Sequence, residues 1–393
     1  MLLVIIHIYF RFMGLQMKKI LLTGGAGYIG SHTNALLNAL GFETIVIDNL
    51  SLGHKESLDF SVVVGGGGGQ NLSLKAESKL EQFFKDSTSA LNSHSKQLIS
   101  AIQNPPASPS SLNTFIQADL SDKMALAKVF AEHKIDSVLH FAAFAYVGES
   151  VVDPAKYYRN NVANTLNLLE VMREFEVQNI IFSSTCATYG NPLHSPITES
   201  HPQNPINPYG QSKLMVEKIL CDFALAYGLK YVILRYFNAA GASTFFDIGE
   251  SHNPETHLIP LVIQTALGQR EFVSVFGADY LTKDGSCVRD FIHIDDLAMA
   301  HILALLYLRD NGKSNVFNLG NGSGFSVFEV LSCMQEIIGE DIPKVVESRR
   351  AGDPAILVGD STKARNILGW NPQFCDLRAI LQSALMWHKN ARY

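Results

Sequence analysis

A glycine-rich turn between a short strand and a helix constrains the fold of this chain more than any other feature. The β-prone run Lys19–Thr23 leads directly into Gly24-Gly-Ala-Gly-Tyr-Ile-Gly30. A helix is predicted over Ser31–Leu40, and a second strand over Thr44–Asp48. Because glycine has no Cβ, the turn admits a close backbone approach beside the free N–H groups of the helix start. The pattern predicts a βαβ unit that binds a dinucleotide pyrophosphate.

The same alternation of strands and helices continues along the chain. Helical patterns over Pro154–Phe175 and Gln211–Tyr227 separate further β-rich runs at Ser137–Phe141, Asn179–Phe182 and Tyr231–Arg235. Such alternation is typical of a parallel sheet with helices on both faces. The predicted fold class is therefore α/β, a Rossmann-type doubly wound parallel sheet. A smaller C-terminal α/β substrate lobe is predicted from Phe272–Gly277, Val316–Gly320 and Val327–Gly339.

Composition divides the chain into four predicted regions. The nucleotide-binding domain is expected over residues 17–54 and 113–240, and residues 241–393 are expected to form mainly the substrate lobe. Residues 55–112 carry five consecutive glycines and a Pro/Ser-rich run, which predicts an insertion with no part in the chemistry. Within it, Leu72–Gln103 has the apolar spacing of one or two amphipathic helices, packed on the sheet edge or on a partner. Residues 1–10 are nearly all apolar but too short to span a bilayer, and a natural start at Met17 is favoured over a real extension of residues 1–16.

Charge and cysteine content exclude several classes of partner. The net charge of −6 and the pI near 6.1 argue against a nucleic acid or an anionic membrane as partner. The five cysteines are widely spread and form no CxxC pair, so neither a disulfide framework nor a metal site is predicted. A cytoplasmic location follows from this cysteine usage.

An acidic residue at the end of the second strand indicates which dinucleotide is bound. Asp48 follows the glycine turn by about twenty residues, where a carboxylate accepts hydrogen bonds from ribose hydroxyls. It would repel a 2′-phosphate, so NAD is favoured over NADP. Asp119 closes the run Phe115–Asp119 and is a candidate acceptor for the adenine amine.

A tyrosine and a lysine four residues apart carry the predicted chemistry. Tyr209 and Lys213 lie in Pro208-Tyr-Gly-Gln-Ser-Lys213, and positions i and i+4 share one helix face. A neighbouring cation favours the phenolate, which would make Tyr209 a base near neutral pH. Thr185 ends the hydroxyl-rich run Ser183-Ser-Thr185 upstream and is the third candidate catalytic residue.

Several further motifs sharpen this interpretation into a family resemblance. The glycine turn, Thr185, Tyr209 and Lys213 resemble the extended short-chain dehydrogenase/reductase family. Within that family the chain is similar to the UDP-glucose 4-epimerases over essentially residues 17–393, apart from the insertion. The motifs that carry this similarity are Asp48-Asn-Leu-Ser, His140-Phe-Ala-Ala, Val147-Gly-Glu-Ser150, Ser183-Ser-Thr-Cys-Ala-Thr-Tyr-Gly190, Asn207-Pro-Tyr-Gly-Gln-Ser-Lys213, Arg235-Tyr-Phe-Asn-Ala-Ala-Gly241 and Asp284-Gly-Ser-Cys-Val-Arg-Asp290.

The resemblance implies two sets of binding residues. Around NAD it places Gly24, Gly27, Tyr28, Ile29, Gly30, Asp48, Asn49, Asp119, Leu120, Phe141, Ala142, Asn160, Tyr209, Lys213 and Phe237. Around the UDP-sugar it places Thr185, Asn238, His257, Leu258, Phe276, Arg289, Arg350 and Asp353. Arginine forks suit the two negative charges of a diphosphate, which supports Arg289 and Arg350 independently.

Three positions depart from the family pattern. Thr185 stands where the best-known members have serine, and it keeps the hydroxyl. Ala145 replaces a lysine that in many members helps to hold NAD, which suggests weaker cofactor retention. Leu357 falls near the position thought to gate N-acetylated sugars, and its branched side chain suggests limited room.

The resemblance implies a reversible C4 epimerisation of a UDP-hexose in galactose metabolism. In this hypothesis Tyr209 removes the proton of the sugar 4-hydroxyl, Thr185 aligns that oxygen, and hydride moves from C4 to NAD and back to the opposite face. Alternatives are a 4-epimerase for UDP-pentoses or UDP-N-acetylhexosamines and a net NAD-dependent dehydrogenase. A 4,6-dehydratase would need Asp-Glu after the threonine, where this chain has Cys186-Ala187. A homodimer is expected through the apolar faces of the two long helical stretches.

Overall fold

The structure is a computed structural model that describes residues 19–60, 72–88, 109–350 and 353–393. The expectations for residues 1–16 and for Met17 as the start lie outside the described residues, as does much of the predicted insertion. Within the described residues, no helix is long and apolar enough to cross a bilayer.

A parallel sheet of seven strands, counted over the described residues, forms the centre of the molecule. The strands are β1 (Lys19–Thr23), β2 (Thr44–Asp48), β3 (Asn113–Gln117), β4 (Ile135–His140), β5 (Asn179–Thr185), β6 (Lys230–Tyr236) and β11 (Asn315–Leu319). Their order across the sheet is β11-β6-β5-β4-β1-β2-β3, so the chain adds strands to one side of β1 first and then to the other, beginning with β4. Because the strands are parallel, their carboxyl ends meet at one edge, where a doubly wound sheet binds its ligand. The predicted fold class is confirmed.

Helices cover both faces of this sheet in the described residues. They are α1 (Tyr28–Ala39), α2 (Leu72–Asp86), α3 (Lys123–Glu132), α4 (Val147–Val152), α5 (Pro154–Tyr157), α6 (Asn164–Glu174), α7 (Pro208–Tyr227), α8 (Leu258–Ala266), α9 (Ile294–Arg309), α10 (Val327–Ile338), α11 (Thr362–Leu368) and α12 (Leu377–Lys389). Buried residues of α1 and α9 form one core with the sheet, and those of α3, α6 and α7 form the other. A π-helical stretch over Tyr158–Ala163 joins α5 to α6, so the predicted long helix is not a single regular one.

Short strands and three helices build the smaller C-terminal lobe. The strand pairs are β7 (Asn238–Ala240) with β10 (Phe291–His293), and β8 (Val273–Phe276) with β13 (Lys344–Glu347). A three-stranded sheet has the order β12 (Phe325–Ser326), β9 (Val288–Arg289) and β14 (Ile356–Leu357). Apolar residues of α8, α10 and α12 close a separate core around them.

One strand lies in a different part of the fold from the prediction. The run Val316–Gly320 was assigned to the C-terminal lobe, but β11 pairs with β6 at the edge of the central sheet. The helix before it, α9, is buried along almost its entire length against α1 and the sheet. That prediction is wrong because the chain returns from the lobe to extend the main sheet, and only this long-range pairing distinguishes β11 from a lobe strand.

The described part of the predicted insertion is packed into the protein core. Helix α2 confirms one amphipathic helix, and its Leu80, Phe83 and Phe84 are buried. The Phe83 ring lies 4.9 Å from the Phe245 ring and 5.8 Å from the Phe374 ring. The helix thus packs on apolar residues from the second half of the chain.

Candidate functional site

The glycine turn forms a tight backbone loop at the carboxyl end of β1. Gly24 has a φ of +73°, and a Cβ there would lie 2.5 Å from the backbone nitrogen of Ala142. A Cβ on Gly30 would overlap the carbonyl oxygen of Gly24. The chain's own packing therefore requires glycine at both positions.

The middle glycine of the motif is different, because no protein atom crowds it. A Cβ on Gly27 would come no closer than 3.4 Å to its nearest neighbour, the Gly24 oxygen. Gly27 also immediately precedes the first residue of α1, where N–H groups point out of the helix. An open backbone surface at a helix N-terminus fits a dinucleotide pyrophosphate.

Acidic and amide side chains lie at the adjacent strand ends. The Asp48 carboxylate accepts hydrogen bonds from the backbone N–H groups of Ala26 (3.0 Å) and Leu50 (2.8 Å). Burial raises the pKa of Asp48, although these two hydrogen bonds oppose the shift. Asn49 donates to the Asp119 carboxylate over 2.5 Å. The structure thus brings three predicted NAD residues, Asp48, Asn49 and Asp119, to the ends of β2 and β3.

The end of β4 closes over the glycine turn. The N–H groups of Phe141 and Ala142 both donate to the Thr23 carbonyl, at 2.9 and 3.0 Å. Asn160 lies in the π-helical stretch and donates to the Asn161 side chain over 3.0 Å. Phe237 is buried after β6, against Gly359. The remaining predicted residues Tyr28, Ile29 and Leu120 lie in the first turn of α1 and just after β3.

Three predicted catalytic residues converge between β5 and α7. The Asn207 side chain caps α7 by accepting from Gly210 N–H over 2.8 Å, which places Tyr209 in the first helical turn. Thr185, the last residue of β5, lies close enough to the Tyr209 phenol to lower its pKa. One turn further along α7, the Lys213 ammonium donates to the Ser183 carbonyl over 2.9 Å.

Burial is the largest influence on the pKa values of Tyr209 and Lys213. It raises the pKa of Tyr209 to about 12, although the Thr185 side chain lowers it. It lowers the pKa of Lys213 to about 7, although the nearby Glu217 carboxylate raises it. The expectation that Lys213 makes Tyr209 a base near neutral pH is therefore wrong for the protein groups alone. Removing water disfavours the charged form of both side chains.

Predicted substrate residues cluster in the C-terminal lobe. Arg289 donates to the Asp353 carboxylate over 2.8 Å and to the Pro354 carbonyl over 2.9 Å. The Arg350 guanidinium lies 4.3 Å from the centre of the Phe276 ring. Leu357 is the register partner of Arg289 in the pairing of β14 with β9.

The other predicted substrate residues lie on neighbouring elements. Asn238 begins β7, and its N–H donates to the Asp290 carbonyl over 3.0 Å. His257 precedes α8 and Leu258 is its first residue. No hydrogen bond or ion pair within the described ranges joins His257 to the arginines; its nearest charged partner is Glu250, 2.7 Å away.

Comparison with known proteins identifies the family. Residues 20–320 match the model of the NAD dependent epimerase/dehydratase family. The chain belongs to this family. It is 46% identical to a UDP-glucose 4-epimerase of Halalkalibacterium halodurans, over 94% of this chain and 95% of the relative.

Solved structures of relatives agree with the fold of this epimerase/dehydratase family member. A UDP-glucose 4-epimerase of Brucella ovis in complex with NAD matches with a TM-score of 0.77 and 41% identity, over 94% of this chain and 98% of that one. One from Bifidobacterium longum, in complex with NAD+ and UDP, has a TM-score of 0.76 and 34% identity, covering 95% and 99%. The family predicted from the motifs is confirmed.

A buried ion pair behind the trio was missed in the sequence. Glu217 and Arg235 approach to 2.6 Å, with side chains 4% and 6% exposed. Glu217 also accepts from the Ser184 hydroxyl, and Arg235 donates to the Tyr189 hydroxyl. Glu217 is one helical turn beyond Lys213 and therefore lies on the same buried face of α7. This spacing is the sequence signal that could have predicted a buried carboxylate there. The pair fixes α7 against β5 and β6, and hence the position of the trio.

Alanine substitutions at the crowded Gly30 and the uncrowded Gly27 should affect different properties, folding in the first case and NAD binding in the second. Gly30→Ala should prevent normal folding, because its Cβ would overlap the Gly24 carbonyl. Gly27→Ala should fold with a near-normal circular dichroism spectrum but bind NAD at least about tenfold more weakly, since the methyl group occupies the pyrophosphate surface. Calorimetric titration with NAD checks this, and unchanged affinity in folded Gly27→Ala would refute the assignment.

The burial of Lys213 gives a pH-dependent stability prediction. Its pKa is lowered from 10.5 to about 7, so between these values the unfolded chain binds a proton that the folded chain does not. Folding therefore gains stability as pH rises through this window. Lys213→Met removes the penalty and should raise the thermal midpoint at pH 7 by roughly 2–4 °C, about 1 kcal/mol. This advantage should shrink toward pH 10.5.

The matched control is the exposed Lys218 of the same helix. Thermal melts of Lys218→Met across the same pH range should follow the unsubstituted protein. If Lys213→Met has no advantage at pH 7, or if its advantage grows with pH, the buried ammonium is not the source of the penalty.

Proposed function

We propose that this chain catalyses the reversible C4 epimerisation of UDP-glucose and UDP-galactose with NAD as cofactor. The observation that carries the proposal is the convergence of Thr185, Tyr209 and Lys213 where β5 ends and α7 begins, with the Thr185 side chain acting on the Tyr209 phenol. Two hydroxyls and a buried lysine suit proton transfer to and from a sugar hydroxyl. The reaction connects galactose to glucose metabolism.

Tyr209 exchanges the proton of the substrate's 4-hydroxyl, and Thr185 aligns that oxygen. Because the Thr185 side chain lies near the Tyr209 phenol, a single sugar oxygen placed between them would contact both. Lys213 is held by the Ser183 carbonyl on the strand that ends at Thr185. Its role is to orient this edge of the site and to provide a positive charge when protonated.

The residues present fit NAD. The open surface at Gly27 and the N-terminus of α1 would hold the pyrophosphate, with Tyr28, Ile29 and the required glycines Gly24 and Gly30 shaping the turn. On the adenosine side we assign Asp48, Asn49, Asp119 and Leu120; each oxygen of the Asp48 carboxylate accepts one backbone N–H and can accept a ribose hydroxyl as well. The remaining contacts of the cleft are assigned to Phe141, Ala142, Asn160 and Phe237.

When bound, NAD supplies the hydride acceptor and donor for C4, and its positive nicotinamide ring favours the phenolate of Tyr209. The protein groups alone hold the pKa of Tyr209 at about 12. A cation placed beside the phenol would therefore favour its deprotonation. This ties the base to the cofactor.

The C-terminal lobe is assigned to the UDP moiety. Arg289 uses three of its five N–H groups on Val288, Asp353 and Pro354, which leaves two for diphosphate oxygens among the described contacts. Arg350 is exposed above Phe276 and can reach the same charge. Asn238, His257 and Leu258 complete the assigned substrate residues. Anchoring at the diphosphate leaves the sugar free to present either face.

The residue after Thr185 argues against a dehydratase in this family. Elimination of a hydroxyl needs an acid, and burial raises the pKa of the Cys186 thiol to about 12. Ala187 has no acidic group. UDP-pentose and UDP-N-acetylhexosamine substrates are not favoured, since the most similar curated relatives are named for UDP-glucose.

The proposed working form is a homodimer in the cytoplasm. All five cysteines are free thiols, as expected in a reducing compartment. On α6 and α7, Leu169, Met172 and Leu214 are buried within the chain, whereas Leu166 and Met215 are each 37% exposed. The proposed dimer contact therefore uses only the exposed part of the predicted apolar faces.

Tyr209→Phe tests the proposed base directly. It should lower kcat by about 10²–10⁴ for conversion of UDP-galactose, because both proton transfers lose their carrier. Tyr231→Phe is the matched control, since that phenol lies at the opposite end of β6. Product formation followed by NMR checks both variants. Near-normal turnover of Tyr209→Phe would remove Tyr209 from the chemistry.

Light scattering tests the dimer. The predicted mass is twice the 43.2 kDa of one chain, and Met215→Glu should halve it by placing a charge in the contact. Leu193→Glu, at an exposed loop position, should leave the mass unchanged. A monomeric unsubstituted protein would contradict the proposal.

A further inference from the structure

Two histidines and two glutamates converge in the segment that connects β7 to α8. They are Glu250, His252, Glu255 and His257, with one ligand atom of each lying within 4.8 Å of all the others. The sequence of residues 250–257 is Glu-Ser-His-Asn-Pro-Glu-Thr-His, without cysteine. The absence of CxxC pairs in the chain therefore does not exclude a metal site formed by these residues. Both residue types are common ligands of divalent transition metals.

The separations of the ligand atoms match a small tetrahedral ion. The His252 Nδ1 lies 3.3 Å from a Glu250 oxygen and 3.7 Å from a Glu255 oxygen. The His257 Nδ1 lies 2.7 Å from the same Glu250 oxygen and 3.5 Å from the other Glu255 oxygen. A tetrahedral zinc site with bonds of about 2.0–2.2 Å has ligand-to-ligand edges of roughly 3.3–3.6 Å. Three of the four separations are close to that range, and the His257–Glu250 separation would lengthen around an ion.

The buried atoms of this cluster lack ordinary partners. The side chains of Glu250 and Glu255 are each only 5% exposed. Even so, the Glu250 Oε1, the His252 Nδ1 and the His257 Nδ1 make no hydrogen bond of acceptable geometry. These three atoms lie close together, but none is oriented to donate to or accept from another. Metal ligands have this arrangement, because each points at the ion and not at its neighbours. Two carboxylates buried side by side also require a cation.

The surroundings suit a structural site. The Tyr28 and Tyr146 rings meet the His252 ring edge-on, at 6.4 and 6.1 Å between centres. The Trp387 indole donates to the Glu250 carbonyl over 2.8 Å. An ion here would tie the segment before α8 to both the glycine turn and the C-terminal helix α12.

We propose that Glu250, His252, Glu255 and His257 bind one divalent transition metal ion of the zinc class. Four protein ligands leave no open position, so the ion fixes the loop that carries His257 and takes no part in the hydride chemistry. This departs from the sequence-based prediction of no metal site. The competing way to neutralise the carboxylates is to protonate both imidazoles; although burial opposes this, the carboxylates raise the pKa of His252 to about 9 and of His257 to about 10.

Cobalt titration distinguishes the two states. The full chain, purified without a polyhistidine tag and stripped with chelator, is titrated with Co²⁺ and followed by its visible d–d absorption. One Co²⁺ per chain should bind with the intense spectrum of a tetrahedral site, should be displaced by Zn²⁺, and should raise the thermal midpoint. No binding, or only the weak spectrum of an octahedral surface ion, would overturn the proposal.

Variants locate the ion within the chain. His252→Asn and Glu255→Gln should each weaken Co²⁺ binding at least tenfold, while His194→Gln, at an exposed loop position, should leave it unchanged. Circular dichroism shows whether each variant is folded. Unchanged affinity in folded His252→Asn would refute the site. The readout is a spectrum and not turnover, so its outcome is independent of the proposed epimerase activity.

Discussion

The contact between the glycine turn and the end of β4 is the constraint on which the rest of the site depends. The Thr23 carbonyl accepts two N–H groups, from Phe141 and Ala142, and this is possible only because Gly24 has no side chain. The contact fixes the turn at the point where the strand order reverses. It thereby sets the position of the proposed cofactor relative to β5 and the trio that follows.

The proposed catalytic trio of Thr185, Tyr209 and Lys213 is arranged at a cost to stability. Tyr209 and Lys213 are buried where water cannot solvate their charged forms, and both pKa values shift toward the neutral species. The buried Glu217–Arg235 pair supports α7 behind them. A cation beside the Tyr209 phenol would favour its deprotonation, as the proposed mechanism requires of the nicotinamide ring. This proposed coupling between cofactor and base depends on burial and not on the Tyr-Lys spacing alone.

Local sequence patterns predicted individual strands well but did not predict long-range strand pairing. The bounds of β1 and β2 were predicted to the residue, because each is a short β-prone run bordered by turn residues. The place of β11 was not, since pairing with β6 over a separation of about eighty residues leaves no local signal. Helix α9 was also missed as an element: it is buried on almost all sides and lacks the periodicity of a surface helix.

Sequence motifs predicted which side chains of the candidate site lie together, but not their electrostatics. Motif spacing brought Thr185, Tyr209 and Lys213 together correctly, but the direction of the Tyr209 pKa shift depends on burial, which no motif encodes. The Glu250–His257 cluster lies in an irregular loop, and its residues meet only because that loop folds back on itself.

The most direct test of the central claim is the fate of the hydrogen on C4. UDP-galactose deuterated at C4 is converted in ordinary water, and the UDP-glucose formed is analysed by NMR and mass spectrometry. If hydride leaves C4 and returns to the same carbon while the trio moves only the hydroxyl proton, the deuterium stays on C4 of the product. Replacement of that deuterium by solvent hydrogen would contradict the account.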